Sequence, residues 1–210
     1  SIDISEVCPK AGDFNEEAMA KYIRTLVRCK FLNLKPMVTL NHWTMPVTFA
    51  KLDGKKNIVD GPLEHPDIVD HFEFFIEKVA DFIFDPAKIK TAIKNEGYAQ
   101  DFVDKICDEE LLCEWFITIN EAMNLVLTPF IFGVFPPHKK NQFGKYNELV
   151  EKLRTMHRNM YRILHDRVQH ASVPQEKRKI SIGMTHSVND TDGIEVPIFE
   201  DFVNWGLIER

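Results

Sequence analysis

The chain has 210 residues, 44% of them hydrophobic and 28% charged, a balance that supports a buried core and excludes an intrinsically disordered polypeptide. Its 26 Lys and Arg stand against 32 Asp and Glu with no cationic run, so nucleic acid is excluded as a partner and a neutral or weakly charged ligand is expected. No apolar stretch approaches the roughly 20 residues of a membrane span, and the N-terminus lacks the basic-then-apolar plan of a signal peptide, so no membrane partner is expected.

The chain opens on Ser1 to Ser5, which reads as a strand. A helix follows, with Asn15 as its N-cap, Glu16 and Glu17 in its first turn, and Met19, Tyr22, Ile23, Leu26 and Val27 on one face. Pro36 to Asn41 reads as the second strand, which completes a βαβ unit. The next helix is expected to begin at Pro66, a good first-turn residue, and to bury Ile68, Phe72, Phe75, Ile76, Val79, Phe82 and Ile83. Residues 86 to 112 interrupt the pattern as two short helical pieces turning at Asn95, Glu96 and Gly97. They are expected to form a surface insertion, either a tolerated excursion or a lid or partner surface. Glu114 to Asn120 is the third strand candidate, a helix carrying Leu149, Leu153, Met156, Met160, Ile163 and Leu164 comes next, and Lys179 to Thr185 is the fourth. The last three strands are nearly continuous apolar or β-branched runs, as in parallel strands buried on both faces. With no GxGxxG or Walker A signal, this alternation predicts an α/β fold with a parallel sheet, and a barrel before a nucleotide-binding fold.

Chemistry is concentrated after the third strand, in EWFITINEAMN. The β-type run Trp115 to Ile119 delivers Asn120 and Glu121 to its carboxyl end, the end at which α/β barrels keep their reacting groups. Glu121 can serve there as a general acid, or it can cap the following helix or pair with a cation. His42 and Trp43 end the second strand; imidazole can bond hydroxyls while indole offers an apolar face to C–H groups, although a lone pair of this kind also fits a satisfied core histidine. The cysteines Cys8, Cys29, Cys107 and Cys113 are scattered without CxxC spacing. Free thiols in a reducing, cytoplasmic compartment are therefore expected, with no zinc site and no other metal or cofactor.

Several segments, in order, resemble glycoside hydrolase family 1, the β-glucosidase family. SIDISEVCPKAGDFNEEAM is similar to that family's SIxWSRIxPxxGxxNxxAL at the second barrel strand, and LKPMVTLNHWTMP to its xxPxVTLxHWDLP at the third. WFITINEA resembles W-x-T-x-N-E-P at the fourth, Gly133, Phe135, Pro136 and Pro137 its GxxPPG-like turn, Met156 and His157 its helical AH pair, and ISIGMTHS its fifth-strand IGIxxN. The resemblance implies a (β/α)8 barrel with about half of its strands here, the second to the fifth, as one incomplete domain over residues 1–210. It implies a retaining β-glycosidase acting on β-glucosides or related β-glycosides. Glu121 would be the acid/base, Asn120 the ligand of the sugar 2-hydroxyl, and His42 with Trp43 part of the glycone wall.

The chain also departs from the family pattern. Ile4 replaces its Trp, Glu6 its Arg, Ala122 its Pro, His138 its Gly and Ser187 its Asn. Retaining hydrolysis needs two carboxylates about 5 to 5.5 Å apart, and the family's E-N-G nucleophile motif has no counterpart in these residues. The implied role is thus the acid/base half alone; the alternatives are a catalytically impaired sugar- or partner-binding barrel, or a structural fragment of an assembly. Four strands do not close an eight-stranded barrel. The remainder of a longer enzyme, or a second copy of the chain in a homo-oligomer, is expected to cover the open edges.

Overall fold

The computed structural model describes residues 1–186, and Ser187 lies outside them. Three parallel strands form the central sheet in the order β1 (Met37–Asn41), β4 (Trp115–Asn120), β5 (Ser181–Thr185). A two-stranded ribbon, β2 (Lys51–Leu52) with β3 (Ile58–Asp60), decorates the loop after β1. The helix α2 (Glu16–Phe31) precedes β1, α3 (Ile68–Phe84) lies between β1 and β4, and α7 (Phe143–Val168) between β4 and β5. This is the parallel strand–helix alternation expected of a barrel arc.

Local chemistry sets the helix ends. The Asn15 side chain accepts the Ala18 N–H at 3.0 Å and caps α2 where the sequence places it. The third helix starts two residues later than expected, at Ile68. Residues 62–64 form a 3₁₀ turn whose Glu64 carboxylate accepts the Gly61 N–H at 2.9 Å, and Pro66 falls in the link between that turn and the first α-helical bond, His71 N–H to Asp67 O. Once started, α3 buries Phe72, Phe75, Ile76 and Val79 completely against α7, which supplies Leu149, Leu153, Met156, Met160 and Leu164. Burying such side chains stabilises by about 1.5–3 kcal/mol each.

The strand expected over Ser1–Ser5 is corrected by the structure. One bond of ladder type, Ile2 N–H to Thr39 O at 2.9 Å, sets Ser1–Asp3 beside β1, and the chain then turns into the short helix α1 (Ile4–Val7). The cause is Asp3, whose side chain accepts the Ser5 N–H at 2.8 Å as an N-cap. Glu6, where the family has Arg, is engaged by Tyr22 Oη at 2.9 Å and by Lys21.

Burial on both sheet faces is also corrected. Val38, Leu40, Phe116 and Thr118 face the helices and are buried, whereas on the other face the register partners Met37 and Trp115 are 56% and 45% exposed and burial is reached only near the carboxyl ends, at Asn41 and Ile119. Among the described residues the helices cover one side only.

Residues 86–112 do not stand off the surface. They form α4 (Pro86–Ile93), α5 (Gln100–Asp104) and a π turn over Lys105–Glu109, and they bury Ile89, Ile93, Ile106, Cys107, Leu111 and Leu112 in the common core. Lys30 pairs with Glu110 at 3.2 Å and the Cys113 thiol donates to Pro36 O, so the segment sits at the amino ends of the strands. It is therefore at the opposite end of the sheet from Glu121 and is no lid for that residue. The remaining small element, α6 (Asn124–Val126), follows β4.

Candidate active site

Parallel register gathers the predicted residues. Asn41 is the partner of Ile119, and Asn120 the partner of Thr185, so the chain leaves β1, β4 and β5 at the same end of the sheet, carrying His42 and Trp43, Asn120 and Glu121, and His186. Crossover connections of parallel strands force this convergence.

Each exit is shaped by side chains bonding to backbone. Buried Asn41 accepts the Trp43 N–H at 3.3 Å and donates from Nδ2 to Thr44 O at 3.1 Å, a local turn in which Trp43 adopts φ +72°. The Trp43 indole Nε1–H then donates to the backbone oxygen of Asn120 at 2.9 Å, tying the exit of β1 to that of β4. His42 is exposed, which removes the core-histidine alternative and leaves its imidazole open to a ligand.

On the other side, Thr185 holds both predicted residues of β4. Its Oγ1 donates to Asn120 Oδ1 at 2.8 Å and accepts the Glu121 N–H at 3.2 Å. Among the described residues the Asn120 Nδ2 has no hydrogen-bond partner. The Glu121 carboxylate accepts Asn124 Nδ2 at 3.1 Å and is half-buried. Glu121 has φ +48°. Proline at position 122 would press residue 121 towards extended backbone, and Ala122 removes that constraint. The result is a defined left-handed turn, closed by Asn124 N–H to Glu121 O at 2.9 Å, rather than a loosened one.

Behind the site, Thr118 locks β4 to its neighbours. Its hydroxyl donates to Gly183 O on β5 at 3.2 Å and lies 2.7 Å from His157 Nδ1 on α7. Burial, with His186 nearby, pushes the His157 imidazole below its ordinary range, so the neutral ring serves as the structural partner of Thr118. Beside the site, a pocket of about 360 Å³ opens between the loop after β1 and the loop after β4, lined among others by Trp43, Met45, Leu63, Leu125, Phe130 and Phe135. Trp43 and Phe135 lie with ring centroids 5.9 Å apart. The pocket adjoins Glu121 through Asn124 and Asn120 through Trp43; Glu121, Asn120 and His42 themselves do not line it.

The structure thus brings all four predicted residues to one end of the sheet and adds three that sequence reasoning missed: Thr185, Asn124 and Phe135. Thr185 lay in a recognised strand, but only the β4–β5 register sets it opposite Asn120. Among the described residues, no cluster of three or more His, Cys, Asp or Glu could hold a metal ion, and no helix is long and apolar enough to cross a membrane.

No protein-family model matches the chain, and no curated protein sequence does. Solved structures do. The chain is similar to a β-glycosidase from Pyrococcus horikoshii at 23% identity and a TM-score of 0.61, with 97% of this chain and 39% of that one covered. It is similar to a family 1 β-glucosidase from Thermotoga maritima at 16% identity and a TM-score of 0.61, with 97% and 37% covered. A β-glucosidase from Exiguobacterium marinum gives 20% identity and a TM-score of 0.51, with 88% and 32% covered. The chain therefore spans well under half the length of each. With its one-sided parallel sheet and this coverage, the chain has the fold of a part of the (β/α)8 barrel of family 1 β-glucosidases.

Proposed function

We propose that the chain supplies the acid/base half of a retaining β-glycosidase, with Glu121 as the proton donor and His42, Trp43 and Asn120 as contacts to the glycone. The observation that carries this reading is the convergence of these residues at the carboxyl ends of β1 and β4, in a fold shared with β-glucosidases. A glycosidic oxygen leaves poorly as alkoxide, so a carboxyl group at this position can donate a proton as the bond breaks. The covalent step then requires a second carboxylate as nucleophile, and this reading assigns that role to none of the described residues. The ligand is a β-glycoside, no metal or organic cofactor is needed, and the four unpaired cysteines fit a reducing, cytoplasmic setting.

A second reading, recognition of a sugar or a partner without turnover, is favoured by two bonds. Trp43 Nε1 is committed to Asn120 O and the Glu121 carboxylate to Asn124, so neither is left wholly to a substrate. Glu121→Gln separates the two. Assayed in a full-length protein that supplies the nucleophile, an acid/base role requires that the variant slow glycosylation sharply for alkyl β-glucosides with poor leaving groups and much less for activated aryl β-glucosides. Equal slowing of both, or of neither, while glycoside binding persists, moves the binding reading ahead.

A further inference from the structure

The two loops that wall the pocket meet at one carboxylate. The Glu64 side chain is only 7% exposed, yet its Oε1 accepts Lys139 Nζ at 2.7 Å and Lys145 Nζ at 2.6 Å, and its Oε2 accepts Lys139 Nζ at 2.8 Å and the Gly61 N–H at 2.9 Å. Lys139 also reaches Asp60 at 2.6 Å, so two cations from the loop after β4 and the first turn of α7 balance two anions from the loop after β1. Lys152, two turns further along α7, donates to the carbonyl oxygens of Leu63, Glu64 and His65 at 3.2 to 3.3 Å. Backbone contact is equally close: a Cβ on Gly61 would lie 3.2 Å from Pro137 Cδ and 3.6 Å from Phe130 Cζ. Gly61 and Leu63 line one wall of the pocket, and Phe130, Phe135 and Pro136 the other.

We infer that Glu64 is a specificity-determining positioning residue, a latch that seats the loop after β4 on the loop after β1 and so fixes the apolar wall for a ring-bearing, non-sugar part of the ligand. The ligand half of this inference rests on the glycoside reading above; the latch half does not. A fully partnered, buried carboxylate cannot lose its charge without leaving lysines at short range with one anion between them, and removing one member of such a pair is costly because the other stays desolvated. Glu64→Gln keeps the volume and removes that charge. Lys139→Met removes the bonds to Glu64 and Asp60 from the more exposed end and serves should the first variant fold poorly.

The test pairs two readouts on the chain and both variants. Hydrogen exchange over residues 130–142 reports the latch through amides such as Gln142 N–H, bonded to Phe130 O, and Asn141 N–H, bonded to Ile131 O. Titration with two uncleavable probes, phenyl and methyl β-thioglucoside, reports the wall. Exchange in this loop should accelerate about tenfold in either variant, and phenyl-probe affinity should fall by a similar factor while the methyl probe binds as before. Unchanged exchange would overturn the latch, and equal weakening of both probes would overturn the specificity role. If the unaltered chain binds neither probe, the glycoside reading falls with the ligand half, and exchange still decides the latch.

Discussion

Thr185→Val is the sharpest probe of how the site is held. The substitution conserves shape but deletes one hydroxyl, and with it the 2.8 Å bond to Asn120 Oδ1 and the 3.2 Å bond from the Glu121 N–H. Two net hydrogen bonds of about 0.5–1.5 kcal/mol each would be lost, leaving an acceptor and a donor unpartnered. Because the threonine is half-buried, water recovers part of this loss, and valine regains a few tenths through its strand preference. The expected cost is about 1–2 kcal/mol, which at a urea dependence of about 2 kcal/mol per molar lowers the unfolding midpoint by about 0.5–1 M. Thr185→Ser restores the hydroxyl and should recover most of it. Urea titration followed by circular dichroism measures both variants. A valine variant with an unchanged midpoint, or a serine variant as weak as valine, would show that the hydroxyl does not hold the exit of β4.

Three further outcomes follow from buried groups and one strained turn. His71 is buried with Nε2 bonded to Cys8 O at 2.9 Å, Nδ1 unpartnered among the described residues and Phe49 stacked at 4.4 Å, and burial pushes its pKa down. The unfolded chain therefore binds the proton more readily, so stability is full above the ordinary histidine pKa of about 6.5 and falls as pH drops below it. His71→Gln, which can keep the bond to Cys8 O, should flatten that part of the urea-midpoint profile; His157, shifted the same way, accounts for any remaining slope. Burial pushes the Cys8 thiol up to about 12 and those of Cys107 and Cys113 up to about 11. Only the partly exposed Cys29 should then react promptly with a disulfide reagent near pH 8, and release of four thiols at one rate would refute the packing. Gly133 has φ +68°, and a Cβ there would meet Lys140 Cγ at 2.6 Å, so Gly133→Ala should cost about 1 kcal/mol or more, read as a lower melting temperature.

Much of this protein can be read along the chain because its signals are local. Asn15 caps α2 through its own side chain, and the 3.6-residue stripes of α3 and α7 name the core they share, since each is set by residues within a few positions of one another. The runs around Asn41, Asn120 and Thr185 mark strands, and the fixed sense of parallel crossovers brings their carboxyl ends together, so His42, Trp43, Asn120 and Glu121 could be placed at one end of the sheet. Other features depend on partners far away in sequence. The turn into α1 is the local exception: the Asp3 side chain caps Ser5 and ends the expected strand after a single ladder bond to Thr39. Residues 86–112 joined the core at the amino ends of the strands, which only the packing against α2 could decide. Thr185 opposite Asn120, Trp43 on the Asn120 carbonyl and Glu64 between two lysines all pair residues 65 to 81 positions apart. Local pattern suffices to mark which residues stand at the strand ends. The tertiary structure alone decided what holds them there, because hydrogen bonds and ion pairs act over about 3 Å and are fixed only when register and loop packing bring their partners within that range.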